Sequence, residues 1–181
     1  MIDGLLYRIE QFLHTAPKAG KDASFRIAPA IAKIRELAPS LGAGTRVLSV
    51  GPRNMIEVDL LAAQGWHVEA VDLFPTDRRI RRGDIHRLPY GSSRFDLVFA
   101  SHVVEHAHTP HRAIRELIRV ARSGGYIWAA VPRDFMPNRH DRIVTLDDFD
   151  RARPGALQLV WADLPDGQRR FLFRVQKGEM A

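Results

Sequence analysis

The run TRVLSVG (45–51) is β-branched and apolar and closes on a glycine, and the run WHVEAVDL (66–73) that follows it reaches Asp72. An apolar run of this length reads as a strand buried on both faces of a sheet. Between the two, Asn54-Met55-Ile56-Glu57 has the spacing of a capping box that opens a helix. Ile56, Leu60 and Leu61 supply the buried face of that helix, and Gly65 supplies its stop. Strand, helix and strand in this order are the pattern of a parallel βαβ unit, and they constrain the rest of the chain to build outward from it.

The flanking segments extend the alternation. Ile2, Leu5, Leu6, Ile9, Phe12 and Leu13 share one face at helical spacing, and Pro17 and Gly20 break that pattern. A second helix is expected to start with Pro29 at its first position and to carry Ile31, Ile34 and Leu37 inward as far as Pro39. FDLVFAS (95–101) is a further strand. Thr109-Pro110 opens a helix lined by Ile114, Leu117, Ile118 and Ala121, which Ser123-Gly124-Gly125 is expected to end before the strand YIWAAV (126–131). Segments 156–162 and 170–176, on either side of Pro165-Asp166-Gly167, read as a terminal hairpin. The fold class expected is a mostly parallel α/β sheet with one antiparallel strand, organised as a helical cap (1–43) and a single compact unit (44–181).

Composition narrows the function classes. A chain of 181 residues suits one domain, and 45% hydrophobic with 27% charged residues is ordinary globular composition. The absence of cysteine excludes disulfides, thiolate zinc sites and a cysteine nucleophile, and it fits a reducing cytoplasm. No stretch approaches the ~20 apolar residues of a membrane span. The start, MIDGLLYRIEQFLH, has no basic leader before its apolar residues and does not read as a signal peptide. The net charge is +6, and all the basic residues except Lys18, Lys21, Lys33 and Lys177 are arginine. The densest cluster is Arg78, Arg79, Arg81, Arg82 and Arg87. It reads either as a solvated strand edge kept from pairing by its charge or as a contact for RNA or for a phosphorylated or carboxylated substrate. It lacks the interleaved aromatics that stack bases.

In open α/β sheets ligands sit at the carboxyl ends of the strands. Gly51 lets the backbone approach a ligand with no Cβ in the way. Asp72, 21 residues further on, is placed to accept both hydroxyls of a ribose. Three later pieces join this unit. GDIHRLPY (83–90) places Asp84 in a turn, SSRFDLVFASHVVEHAHTP (92–110) runs a strand into Glu105-His106, and ARSGGYIWAAVP (121–132) is a helix end, a glycine turn and a strand. In order and spacing the set resembles the class I S-adenosylmethionine-dependent methyltransferases, in particular the branch that methylates small molecules. The resemblance covers residues 45–132 and, more weakly, the final hairpin.

The resemblance implies a Rossmann-like, seven-stranded sheet of order 3-2-1-4-5-7-6 with strand 7 antiparallel. It implies S-adenosylmethionine as cofactor and methyl transfer to a small-molecule O or N acceptor, for which the basic surface suits an anionic one. It places Gly51 under the methionine part of the cofactor, Asp72 at the ribose, Asp84 facing the adenine amino group, and Ile85 against the ring, with Leu73 also among the cofactor-binding residues. The backbone around Ala100 and Ser101 would line the methyl-donor end. Glu105 and His106 fall at the mouth of the active site, where His106 acts either as a general base or as a packing and capping group at the strand end.

Two departures stand against this pattern. Where the family shows an acidic residue followed by three alternating glycines, this chain reads Ser49, Gly51, Arg53 and Met55. Arg53 either pairs with the methionine carboxylate or fills the pocket. The stretch from Asp72 to Gly83 is also too short for a crossover helix, so that helix is expected to be missing and strand 3 to be short or absent. Both departures leave a second reading open, a catalytically inactive methyltransferase-like domain that acts as a binding or partner module; an RNA-directed methyltransferase is a third. His102-Val103-Val104-Glu105-His106 also matches the H-x-x-E-H zinc motif. That motif requires a helix, and here it follows directly on a strand, so no metal is expected.

Overall fold

The computed structural model describes residues 24–52, 54–133, 142–165 and 167–178. The amphipathic segment 2–13 and Arg53 lie outside them. In chain order the elements are α1 (Ser24–Leu37), β1 (Arg46–Val50), α2 (Met55–Ala62), β2 (His67–Asp72), β3 (Ile80–Arg82), β4 (Phe95–Ser101), a 3-10 turn (Val104–His106), α3 (Pro110–Val120), β5 (Ala121–Pro132), α4 (Leu146–Ala152), β6 (Leu157–Asp163) and β7 (Gln168–Val175). The strands form one seven-stranded sheet of order β3-β2-β1-β4-β5-β7-β6. β7 runs antiparallel to both β5 and β6, and the pairs among β1 to β5 are parallel. No helix among the described residues is long and apolar enough to cross a membrane.

β1 is central because its side chains from Val47 to Val50 are buried, and an apolar run of that kind is stable only with helices on both faces. One face packs Ile27, Ala30, Ile31 and Ile34 of α1 with Val47, Leu61, Leu97, Phe99 and Trp128. The Trp128 ring lies nearly parallel to Phe99 and to Trp161 at centroid distances of 6.2 and 5.8 Å. The other face packs Ile114, Leu117 and Ile118 of α3 with Leu48, Val98, Ile127 and the Phe149–Phe171–Phe173 cluster. Burying side chains of this size contributes about 1.5–3 kcal/mol each.

Four local expectations are corrected. α1 begins at Ser24, not at Pro29, which sits inside the helix on its solvent side. There it has no N–H to donate to the Phe25 carbonyl four residues back. α2 buries Glu57, Val58 and Leu61, while Ile56 and Leu60 are half-buried. α3 ends at Val120, so Gly124 and Gly125 lie inside β5. Gly124 takes φ +76°, and a Cβ on Gly125 would stand 2.9 Å from the Asp96 carbonyl, so this glycine pair lets β5 close against β4 where their register slips. Residues 146–152, for which no helix or strand is expected from the sequence, form α4, capped by Thr145 and Asp148 in a reciprocal box.

The connection between β2 and β3 has no helix, as its length demands. β3 is present, three residues long, and pairs Ala70, Val71 and Asp72 with Ile80, Arg81 and Arg82. The terminal hairpin spans 157–163 and 168–175, with the Gln168 N–H donating to the Pro165 carbonyl across its turn.

Candidate functional site

The strand order reverses between β1 and β4, so the carboxyl ends of these strands diverge into a crevice. Gly51 closes β1 with φ +72°, a conformation L side chains avoid. Its N–H donates to the Val71 carbonyl at 2.8 Å. A Cβ on Gly51 would lie 2.4 Å from Val103 Cγ2, so the missing side chain is what allows the β1–α2 turn and the β4 exit to touch.

Glu57 is the residue the sequence reading misassigned. Asn54 does cap α2, its side chain accepting the Ile56 N–H at 3.1 Å. Glu57 turns away from the cap into the core and accepts the Ser49 hydroxyl at 2.5 Å. Burial pushes its carboxyl up to about 7, against the pull of the Ser49 hydroxyl, with Asp72 adding to the rise. Ser49 holds the strand position where the family carries its acidic residue; here a carboxylate reaches that place from α2. An acidic residue on the buried side of a helix otherwise lined by Val58 and Leu61 was the available signal.

Asp72 ends β2. Its carboxylate accepts the Phe74 N–H at 2.6 Å, and no other hydrogen bond from the described residues reaches it. Burial pushes it above the usual carboxylate range, opposed by the Phe74 N–H and by the charge of His106. Leu73 follows, half-buried, its carbonyl accepting Arg82 Nε at 3.4 Å. Asp84 is carried to the same end of the sheet by the Gly83 N–H, which donates to the Asp72 carbonyl at 2.9 Å. Its carboxylate lies 2.6 Å from His86 Nδ1. Ile85 is half-buried against the main core cluster. Ser101, half-buried, is the last residue of β4 and pairs with Ala130.

Past Ser101 the chain turns sharply. His102 takes φ +54°, in the left-handed region that is uncommon outside glycine. Its Nε2 lies 3.1 Å from Gln168 Oε1 and its Nδ1 3.4 Å from Glu105 Oε1. Glu105 is 1% exposed; its Oε1 stands 4.0 Å from His106 Nε2, and its Oε2 is buried with no hydrogen-bond partner among the described residues. His102 sits at a strand exit and His106 on a single 3-10 turn, so they do not share one face of an α-helix. Among the described residues no group of three or more His, Asp or Glu is placed to hold a metal ion.

The arginine cluster borders this region along the outer strand. Arg79 pairs with Asp77 at 3.1 Å and Asp59 at 3.6 Å. The Arg81 guanidinium lies over the Tyr90 ring, 5.3 Å from its centroid, and that of Arg82 lies 6.0 Å from the Phe74 centroid. These contacts fit a charged sheet edge.

The arrangement thus brings Gly51, Asp72, Glu105 and His106 to one crevice, with Asp84 joined to it through β2. Comparison with known proteins bears on the family and the fold. A family model described as a methyltransferase domain covers residues 23–176. The chain belongs to that family and to its class I, S-adenosylmethionine-dependent group. A 58-residue stretch is 41% identical to ajmaline N-methyltransferase of Rauvolfia serpentina, covering 31% of this chain and only 20% of that protein. Among solved structures, the 1,6-didemethyltoxoflavin-N1-methyltransferase of Burkholderia thailandensis, bound to 1,6-didemethyltoxoflavin and S-adenosylhomocysteine, superposes with a TM-score of 0.72. Its sequence is 18% identical over 97% of this chain and 90% of that one. The N-methyltransferase NodS of Bradyrhizobium japonicum, in complex with S-adenosylhomocysteine, gives 0.68 at 17% identity, over 92% and 98% of the two chains.

Proposed function

We propose that this protein transfers a methyl group from S-adenosylmethionine to an O or N atom of a small-molecule acceptor. The observation that carries the reading is Asp72: a desolvated carboxylate at the end of β2, beside the crevice where the strand order reverses, with a single donor from the described residues. A ribose diol offers the two donors that such a carboxylate lacks. Asp84 and Ile85 are assigned to the adenine, Leu73 to the ribose end, and Gly51 and the Ser101 backbone to the methionine and methyl end. Arg53 is assigned to the methionine carboxylate.

The bound cofactor supplies an electrophilic methyl group on sulfur. The protein's part is alignment of nucleophile, methyl and sulfur, and removal of a proton. His106, half-exposed at the mouth, takes that proton at an imidazole nitrogen. Glu105, buried within 4.0 Å of His106 Nε2, faces the imidazolium that forms. The acceptor is selected by segments 1–43 and 133–150. The Arg-rich surface suits an acceptor with acidic groups, and a cysteine-free chain suits a reducing cytoplasm.

A second reading, a catalytically inactive binding or partner module, draws on one contact: the Val103 side chain stands against Gly51, where the cofactor's methionine is expected. Calorimetric titration with S-adenosylmethionine and S-adenosylhomocysteine tests the proposal. Micromolar binding of both supports it, and no heat with either overturns it.

A further inference from the structure

Asp84 and His86 are joined by two contacts to one oxygen. The His86 main-chain N–H donates to Asp84 Oδ1 at 2.9 Å, and His86 Nδ1 stands 2.6 Å from the same atom. The other ring nitrogen, Nε2, accepts the Thr109 N–H at 3.3 Å. A backbone N–H can only donate, so Nε2 carries no proton; the proton of the neutral ring is on Nδ1, and His86 donates it to Asp84. The imidazole is 4% exposed and packs against His108 at a centroid distance of 4.0 Å. The His86 carbonyl accepts Arg112 Nε at 3.1 Å, which ties the turn to α3. On its other side, a Cβ at Gly83 would collide with Val71 and Pro89, so the backbone entering Asp84 is pressed against β2.

An Asp–His pair acts as a base when Nε2 faces a reactant. Here Nε2 is spent on a backbone amide, so the pair cannot pass a proton outward. What it does is set the plane of the Asp84 carboxylate from behind, through a buried donor that is itself held at both nitrogens.

We propose that His86 is the positioning residue that gives Asp84 its selectivity for the exocyclic amino group of the cofactor's adenine. The inference rests on the cofactor reading above and extends it to a residue that touches no ligand.

The test compares S-adenosylhomocysteine with S-inosylhomocysteine, which presents a 6-oxo acceptor where the adenine presents an amino donor. Wild-type protein is expected to prefer the first by about tenfold or more, the worth of a hydrogen bond to a charged group. His86→Gln keeps an acceptor for Thr109 but places no donor at the Nδ1 position, and its preference should fall to about twofold or less. His86→Asn places an amide N–H near the Nδ1 position and should keep most of the preference, although it loses the Thr109 contact. A merely structural His86 would give the opposite ranking, with Gln the milder change. An unchanged preference in His86→Gln, or equal losses in both variants, overturns the positioning role. Wild-type protein that binds both ligands equally overturns this inference and leaves the cofactor site standing. Wild-type protein that binds neither overturns the proposed function, and the inference with it.

Discussion

The Ser49 hydroxyl donates to the Glu57 carboxylate inside the core, at the base of the turn that carries Gly51. With that carboxyl pushed up to about 7 by burial, the fold favours the protonated form. Between pH 4.5 and 7 the native state therefore binds more protons than the unfolded chain, and wild-type stability falls as pH rises through that window. The loss is on the order of 3 kcal/mol and is complete above it. Glu57→Gln retains an acceptor oxygen for Ser49 without the charge. It is expected to be more stable than wild type at pH 8, with the advantage shrinking toward pH 5. Urea midpoints at the two pH values measure this; a constant difference between the proteins would show that Glu57 does not titrate there.

Asp72 carries the cofactor assignment. Removing its carboxylate deletes hydrogen bonds to a charged group worth roughly 1.5–3 kcal/mol each, so Asp72→Ala should weaken S-adenosylhomocysteine binding by about ten- to a hundredfold. Asp72→Asn keeps the shape and an acceptor oxygen and should cost less. Calorimetry reads both, and wild-type affinity in Asp72→Ala would remove the site from the end of β2.

Gly51 is constrained twice, by φ +72° and by Val103 Cγ2 at 2.4 Å from the place of a Cβ. Gly51→Ala should cost about 2–4 kcal/mol, combining left-handed strain with overpacking. Adding Val103→Ala removes the closest contact, to Cγ2, but leaves the Val103 Cβ at 2.9 Å and the backbone strain. Denaturant unfolding of the two single variants and the double variant should give a favourable coupling of about 1 kcal/mol or more. Strict additivity would mean that the two segments do not press on each other.

Lys177 closes the far end of α3. Its Nζ donates to Ser93 Oγ at 2.8 Å, to the Arg119 carbonyl at 2.9 Å and to the Ala121 carbonyl. Lys177→Met keeps the stem and deletes these bonds and the charge at a helix C-terminus. A loss of about 1–3 kcal/mol is expected in thermal or urea unfolding, since hydrogen bonds from a charged group are lost. Unchanged stability would mean that water serves those carbonyls equally well.

The strands were legible because β1, β4 and β5 are buried on both faces and show it as largely apolar runs. The place of Asp72 at the end of β2 was legible for a related reason: an acid that follows such a run marks where the strand stops. Glu57 was misread because the capping-box spacing is a local rule, whereas its partner Ser49 lies on another element. Gly124-Gly125 carried two meanings, a helix stop and a close strand approach, and only the Asp96 carbonyl opposite decides between them. His86 left no mark, since it stands in a turn with no periodicity and is buried by contacts from Asp84, Thr109 and Arg112, the last two more than twenty residues away.

β3 has three residues and, among the described residues, one paired neighbour and no strand on its outer edge. A segment with so few hydrogen bonds of its own can open while β1 and β4 stay intact. Its amides should then exchange with deuterium well before those of the central strands. Asp84 lies two residues past β3, so the least protected part of the sheet holds the group assigned to the adenine. A ligand that grips both Asp72 and Asp84 would join this edge to the core, and slower exchange at Ile80–Arg82 would report its arrival.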